Sequence, residues 1–434
     1  MTRMKESGID WIGQIPEEWE VIKFKYLGDV KQGLTYSPSD IVDKDEGILV
    51  LRSGNIQNGV LDFTNNVYVK TKVAESIVLR KNDILITARN GSSALIGKNA
   101  IIDTDIKATF GAFMMVFRTN KSLIAKFAFY LMNISFNFYR TFFTTSTVNQ
   151  LTAAIFNGIE VPLPSISEQQ KIADFLDKKT AQLDKVKSLL EEQIQKLKDY
   201  RASLIYETVT KGLDKTVPME DSGIDWIGQV PEGWGVKPIK HVVATPVTDG
   251  PHETPLLCET GIPFLSAEAV KNGVLDFNYK RGYISLQDHE RFKKKISPKK
   301  DDIFIVKSGA TTGNVGIVST DEIFDIWSPL ALIRCKKSLA VQKYIYYYLI
   351  SNIFKAQVEF NWSFGTQQNI GMGIIENIKL ILPPLSEQTK ISDLLDKKTY
   401  QIDQLIQIKN KQIDNINKQR QTLIYDYVTG KRRV

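Results

Sequence analysis

LPSISEQQKIADFLDKKTAQLD at residues 163–184 and LPPLSEQTKISDLLDKKTYQID at residues 382–403 are two versions of one segment, 219 positions apart. In the first, Pro162 and Pro164 precede a helix start: Ser167 is placed to cap free backbone amides, Glu168 meets the positive end of the dipole, and Gln170 stands at the capping-box position. The second copy keeps Ser386 and Glu387 but has Thr389 at the box position.

Downstream, Leu176, Leu183, Leu190, Leu197 and Leu204 recur every seven residues, with Ile172, Val186 and Tyr200 in the interleaved row. This heptad spacing predicts a coiled-coil seam. The second seam is Leu395, Ile402, Lys409, Ile416 and Leu423, with one charged member. Lys179, Lys398, Gln193 and Gln412 are read as polar members of the interleaved rows, able to fix register. A helix over residues 167–210 would be roughly 65 Å long at ~1.5 Å per residue, and needs an apolar partner. The other copy in the same chain is the expected partner; two ordinary core helices or a homodimeric zipper are the alternatives.

A second repeat opens each half. ESGIDWIGQIPEEW at residues 6–19 returns as DSGIDWIGQVPEGW at residues 221–234. Between entry motif and helix the halves diverge, apart from islands such as NGVLDF at residues 58–63 and 272–277, and Lys81-Asn82-Asp83-Ile84 against Lys300-Asp301-Asp302-Ile303. Short β-forming runs (residues 48–51, 83–87, 303–306) alternate with Gly/Asn/Ser turns, and helical stretches follow at residues 123–143 and 340–358. Each half is therefore expected to be an α+β domain closed by a long helix. A duplication of this period is two domains, not a short-repeat solenoid.

The first entry motif has no helix before it in sequence. If the halves are equivalent, its neighbour is the end of the second helix, near Gly430, so the molecule is expected to be circularly organised with its termini close together. Trp11 and Trp226 are expected to pack at these joints.

Composition limits the chemistry. The chain has 434 residues, 43% hydrophobic and 24% charged, enough for at least two cores. No apolar run reaches a membrane span or the core of a signal peptide, so a cytoplasmic protein is expected. Cys258 and Cys335 are too few for a disulfide framework. The formal charge of +7 admits a polyanionic partner without requiring one. His241, His252 and His289 all lie in the second half without counterparts in the first, and are read as surface or turn residues. GxSxG, HExxH, GxxxxGK[ST] and [DN]PP[YF] are absent. Asp105-Ile106-Lys107 has the DxK form of some nucleases, but no convincing second acid precedes it. No catalytic, cofactor-binding or metal site is expected.

Two loop pairs are candidates for DNA contact. The first comprises TARNGSSALIG (residues 87–97), with Arg89, Asn90 and Ser92, and KSGATTGNVG (residues 307–316), with Lys307, Ser308, Thr311, Thr312 and Asn314. Such loops suit either tight turns or amide and hydroxyl contacts to phosphates and base edges. The second comprises residues 144–150, with Thr147, Asn149 and Gln150, and residues 362–369, with Thr366, Gln367, Gln368 and Asn369. Side-chain amides can pair with adenine and arginine with guanine, although polar loops are also ordinary solvated ones. Arg52, Ser53 and Asn55, after the strand at residues 48–51, join the candidates, as do Lys293 and Lys294 in the basic run RFKKK. On the residues alone, a coiled-coil scaffold without a DNA role and a stand-alone DNA-modifying enzyme remain open.

Taken together, the paired SGIDWIG…P…W entries, the paired LP…SEQ…LD…T…D helix starts and the paired LIY…VT helix ends resemble the DNA-specificity subunit of type I restriction-modification enzymes, over essentially the whole chain. The resemblance implies two similar target-recognition domains joined by two long antiparallel helices, in a pseudo-two-fold, circular arrangement. The expected partition is residues 1–164 and 213–383 for the recognition domains, with 165–212 and 384–434 for the helices. It implies a non-catalytic subunit that reads an asymmetric bipartite sequence in double-stranded DNA, with the helix pair as spacer. The implied partners are two methyltransferase subunits, which bind S-adenosylmethionine, and restriction/translocase subunits, which use ATP and Mg.

Overall fold

The computed structural model describes residues 3–143, 149–224, 227–360 and 369–434. The chain forms two compact units, one of residues 1–190 with 410–434, the other of residues 191–409. The division cuts through both long helices, Ile166–Lys211 and Leu385–Val428, so each unit holds a mixed α/β domain, the start of one helix and the end of the other.

In the first unit, Asn99–Ile101, Ile84–Thr87, Met114–Thr119 and Gly28–Gln32 form an antiparallel sheet, in that order. A second sheet runs Ala108–Phe110, Ile48–Leu51, Val67–Val69, Ile41–Val42, with its first pair parallel. The central strand Ile84–Thr87 is buried along its length and is flanked by strands on both sides, which suits its β-rich sequence. The helix Ala125–Tyr139 carries a buried face into the same core as Trp19, Phe24 and Leu176.

The second unit repeats the plan: Leu330–Ile333 and Ile303–Val306 are central in a six-stranded sheet, and Ile262–Leu265 pairs in parallel with Asp325–Ile326. The single helix expected at residues 340–358 is two, Gln342–Ile350 and Asn352–Phe360, separated at Ser351, whose hydroxyl donates to the Tyr348 carbonyl at 2.6 Å. The shared Asp of the two KxDI islands is buried in each unit. Arg118 forms a two-pronged pair with Asp83 (2.7 and 2.7 Å), and Arg334 one with Asp302 (2.7 and 2.6 Å).

The entry motif is a hairpin. Met4–Glu6 pairs antiparallel with Gln14–Pro16, and Met219–Asp221 with Gln229–Pro231. Its glycines have left-handed φ, 74° and 69° at Gly8 and Gly13, 70° and 69° at Gly223 and Gly228, a conformation in which other residues are strained. Trp11 stacks on Phe138 at 4.8 Å and its carbonyl accepts from Tyr425 near the end of the second helix. Trp226 lies outside the described residues.

The helix starts differ from the sequence reading. Ser165, not Ser167, caps the first helix, its hydroxyl accepting from the Glu168 amide at 3.3 Å. In the second, Pro384 occupies the matching position and its backbone carbonyl accepts from Glu387 and Gln388, while Ser386 lies inside the helix. Gln170 reaches Asp174 instead of closing a capping box.

The repeated SEQ and LDKKT residues dock each helix start on its own domain. Trp19 Nε1 donates to Glu168 (3.1 Å) and Trp234 Nε1 to Glu387 (3.2 Å). Buried Gln169 accepts from the Ile124 amide and donates to the Ser122 and Pro164 carbonyls; Gln388 does the same with Val341, Leu339 and Pro383. About two turns on, Tyr130 meets Asp177 and Thr180, and Tyr347 meets Asp396 and Thr399. The end of the other helix arrives at the same tryptophan: Gly212 lies against Trp234, and Gly430 against Pro16 and Trp19. Arg433 ties the C-terminus to Glu18 and Glu168, so in this unit both ends of the chain meet.

Within each unit the two helices run antiparallel. Gln193 meets Lys409 and Arg201 meets Asp403 in one; Asp184 meets Arg420 and Phe175 packs on Tyr427 in the other. Leu176, Leu395 and Ile402 are buried, whereas Leu183, Leu190, Leu197, Leu204, Ile416 and Leu423 are half-buried. Ile172 is buried as expected, but beyond it the interleaved row is one position later than read. Thr180, Ile194, Arg201 and Thr208 face inward, as do Thr399, Ile406, Ile413 and Arg420, while Val186 and Tyr200 are exposed. Polar anchors in that row explain why an apolar pattern search chose the wrong one.

The joint generates a direct prediction. Trp19→Phe removes a hydrogen bond to a carboxylate and is expected to destabilise the first unit by about 1.5–3 kcal/mol, and Trp19→Ala by about 3–5 kcal/mol through the cavity as well. Chemical denaturation read by near-UV circular dichroism measures both; unchanged midpoints would contradict this role.

Candidate nucleic-acid interface

Backbone hydrogen bonds align the candidate loops of the two units. After the strand Ile84–Thr87, the Ala88 amide donates to the Phe113 carbonyl, and Arg89 forms an antiparallel bridge with Gln150. After Ile303–Val306, the Lys307 amide donates to the Pro329 carbonyl, and Ser308 forms the same bridge with Asn369. Returning segments close both bridges, with Leu151 donating to Ala88 and Ile370 to Lys307. One backbone frame therefore presents Arg89 and Gln150 in the first unit, Ser308 and Asn369 in the second.

The side chains at these positions are chemically distinct. Arg89 donates to the Gln150 amide oxygen at 2.8 Å and lies 5.6 Å from the ring centre of exposed Phe113. This couples a guanidinium, an amide and an aromatic face on one surface. Asn90 reaches Ser53 at 3.5 Å and accepts from the Ser92 amide, and Asn149 donates to the Gly91 carbonyl. In the second unit, Thr312 Oγ1 donates to the Gly309 carbonyl and the Thr311 carbonyl accepts from the Asn314 amide, so the glycine-rich loop is a tight turn with Asn314 exposed. Thr147, Thr366, Gln367 and Gln368 lie outside the described residues.

Four expectations need correction. Asn55 is buried, and its amide is spent on the Asp62 carbonyl at 2.9 Å, which holds the turn after Leu51; Arg52 and Ser53 beside it remain accessible. Lys307 turns inward and pairs with Asp249 at 2.8 Å, leaving only 13% of its side chain exposed. Asp249 also takes Lys295 (2.6 Å) and His252 (3.0 Å); burial would raise its pKa, but the two lysines outweigh this and hold it below the ordinary carboxylate value. The basic run is also largely matched, with Lys293 on Glu290, Arg291 on Glu253 and Asp288, and Lys300 on Asp321. Exposed Lys294 has no ion-pair partner among the described residues.

His289, read as a surface residue, instead points inward and meets Asp325 at 2.6 Å, with 13% of its side chain exposed. Cys335 is buried and its thiol is pushed up to about 12 by burial, which leaves it un-ionised and inert. Among the described residues no group of three His, Cys, Asp or Glu side chains could hold a metal ion, and no helix is long and apolar enough to cross a membrane.

The family model described as "Type I restriction modification DNA specificity domain" matches residues 16–198 and again 231–418. The chain belongs to this specificity family. The type I restriction enzyme EcoKI specificity subunit of Escherichia coli K12 is 25% identical over 95% of this chain and 89% of its own length. The MjaVIII specificity subunit of Methanocaldococcus jannaschii is also 25% identical, over 97% and 94%. Among solved structures, a chain from work on complex assembly and conformational transition of the type I R-M system superposes with a TM-score of 0.70, at 17% identity, covering 96% of this chain and 99% of that one. The fold is thus that of the family: two similar α+β domains and two long helices.

Sequence reasoning missed Phe113, Gln169 and Gln388. The two glutamines had a usable signal, since SEQ[QT] repeats in both helix starts without a capping reason for its third residue.

The inward turn of Lys307 predicts that Lys307→Met lowers the stability of the second unit by on the order of 1–3 kcal/mol through loss of a charged hydrogen bond. The slope of log K against log salt for DNA binding should stay unchanged, whereas Lys294→Ala, which removes an exposed phosphate-contacting charge, should reduce it by about 1. Filter binding across a salt series separates the two, and a reduced slope for Lys307→Met would contradict its structural role.

Proposed function

We propose that this chain is the non-catalytic DNA-reading subunit of a type I restriction-modification complex, with each unit reading one half of an asymmetric bipartite target. The observation that carries this reading is the shared backbone frame with unlike side chains. Arg89 with Gln150 offers donors suited to guanine and an amide suited to adenine, while Ser308 with Asn369 offers a hydroxyl and an amide. Two identical readers would read a symmetric site. Two variants on one frame read two different half-sites.

Arg52, Ser53, Asn90, Ser92 and Asn149 would complete the surface in the first unit, and Thr311, Asn314 and Lys294 in the second. Residues 1–164 and 213–383 would be the recognition domains, and residues 165–212 and 384–434 the spacer helices. The matching exposed pairs Val186/Leu189 and Leu405/Ile408 occupy equivalent positions on the two long helices and would each seat one methyltransferase subunit. S-adenosylmethionine would be bound by those partners, and ATP with Mg by restriction subunits.

Arg89→Ala tests the reading. In a complex reconstituted with its methyltransferase partner, the variant should lose about 1–3 kcal/mol of binding to the intact target and relax selectivity at a position in one half-site only. Competition with duplexes altered in one half at a time measures this; equal loss in both halves would contradict separate readers.

A further inference from the structure

In the first unit, a cleft of about 840 Å³ opens beside the Arg89–Gln150 surface, bounded by Tyr36, Ile41, Arg52, Ser53, Asn65 and Phe113. Gly111 is part of its lining. The backbone frame places Trp327 at the matching position of the second unit: the Gly111 amide donates to the Leu51 carbonyl (3.0 Å) as the Trp327 amide does to the Leu265 carbonyl (2.9 Å), after matching parallel strand pairs. An indole stands there, with Arg281 stacked 4.3 Å from its centre and the small Ser266 standing where the first unit has Arg52.

Gly111 is not required by its backbone. A side chain built there would have Val50, Arg52 and Leu51 atoms no nearer than 3.8 Å, and its φ is not left-handed. The glycine's consequence is an open cleft. What the cleft offers is specific: an exposed phenylalanine and a half-buried tyrosine as ring faces, and the Arg52 guanidinium, which is oriented by one bond to the Asn65 carbonyl (3.3 Å) out of its five donors. Ser53 on the wall is bonded to Asn90 of the reading loop, so cleft and reader form one continuous surface.

We propose that this cleft receives one base turned out of the DNA duplex at the half-site read by the first unit, and that the second unit has no such pocket because Trp327 fills it. This rests on the reading of the first unit as a DNA reader. A base within the stack exposes only its edge, which protruding side chains can read; a concave site lined by aromatic rings fits a ring whose face is free. Arg52 then meets the edge of that base and Phe113 or Tyr36 its face. The apolar wall residues Ile41 and Leu34 exclude water without selecting among bases.

The experiment uses the chain assembled with its methyltransferase partner and a duplex carrying its methylation target. Each base of the half-site assigned to the first unit is left in turn opposite an abasic position, which removes the pairing that resists extrusion. One position should tighten binding by about tenfold, and that gain should disappear with Gly111→Trp, which fills the cleft, and fall severalfold with Arg52→Met, which keeps the stem and cannot obstruct folding at Gly111. Tightening at the base that the methyltransferase partner modifies should be unaffected by either variant. Sequence-specific binding in which no position gains in a manner dependent on Gly111 or Arg52 overturns the pocket while leaving the reader intact. A wild-type complex that fails to distinguish its target from a scrambled duplex overturns both.

Discussion

A tryptophan, a glutamate and a helix-ending glycine meet once in each unit, and the other shared features are arranged around that meeting. Trp19 joins Glu168 at the start of one long helix and Gly430 at the end of the other; Trp234 does the same with Glu387 and Gly212. The indole supplies buried area and one donor, the glutamate sits where the helix dipole favours negative charge, and the glycine allows the closing turn to lie against the ring. In the second unit the chain simply continues from Gly212 towards Trp234. In the first, where chain continuity is absent, Arg433 bridges to Glu18 and Glu168 and Lys431 donates to the Gln14 carbonyl. Ion pairs and a hydrogen bond do there what a peptide linker does in the other copy.

This joint accounts for which residues repeat. SGIDWIG, SEQ and LDKKT hold a hairpin, a helix start and a domain helix in fixed relation, through bonded or buried members such as Ile9, Gln169 and Asp177. Positions released from that duty diverge, above all on the frame that presents Arg89 and Gln150 in one unit and Ser308 and Asn369 in the other. The unlike pair Gly111 and Trp327 extends the divergence from side-chain chemistry to the shape of the surface.

Much of the architecture was legible in the sequence because repeats and heptads report backbone periodicity, which burial enforces. The strand at residues 83–87, the leucine rows and the meeting of the termini could all be read from it. Cap identity could not: Ser165 and Ser167 are equally good formers, and only the backbone decides between them. The interleaved seam row was misread because its inward members include Thr180, Arg201 and Arg420, polar side chains that meet partners from distant parts of the chain. The interface was partly legible. Arg89, Asn90 and Gln150 fall on one surface, but Asn55 and Lys307 turn inward to Asp62 and Asp249, contacts that no local pattern announces. Phe113 carried no signal, since an exposed phenylalanine and a core one look alike in sequence.

The central claim is that two unlike readers on one frame specify two unlike half-sites. Mapping methylated bases across the genome of cells that carry the methyltransferase partner, with and without this chain, tests it most directly. The account predicts a single bipartite motif with two different halves and a fixed gap, present only when the chain is present. A palindromic or uninterrupted motif, or a methylation pattern that does not depend on the chain, would contradict it.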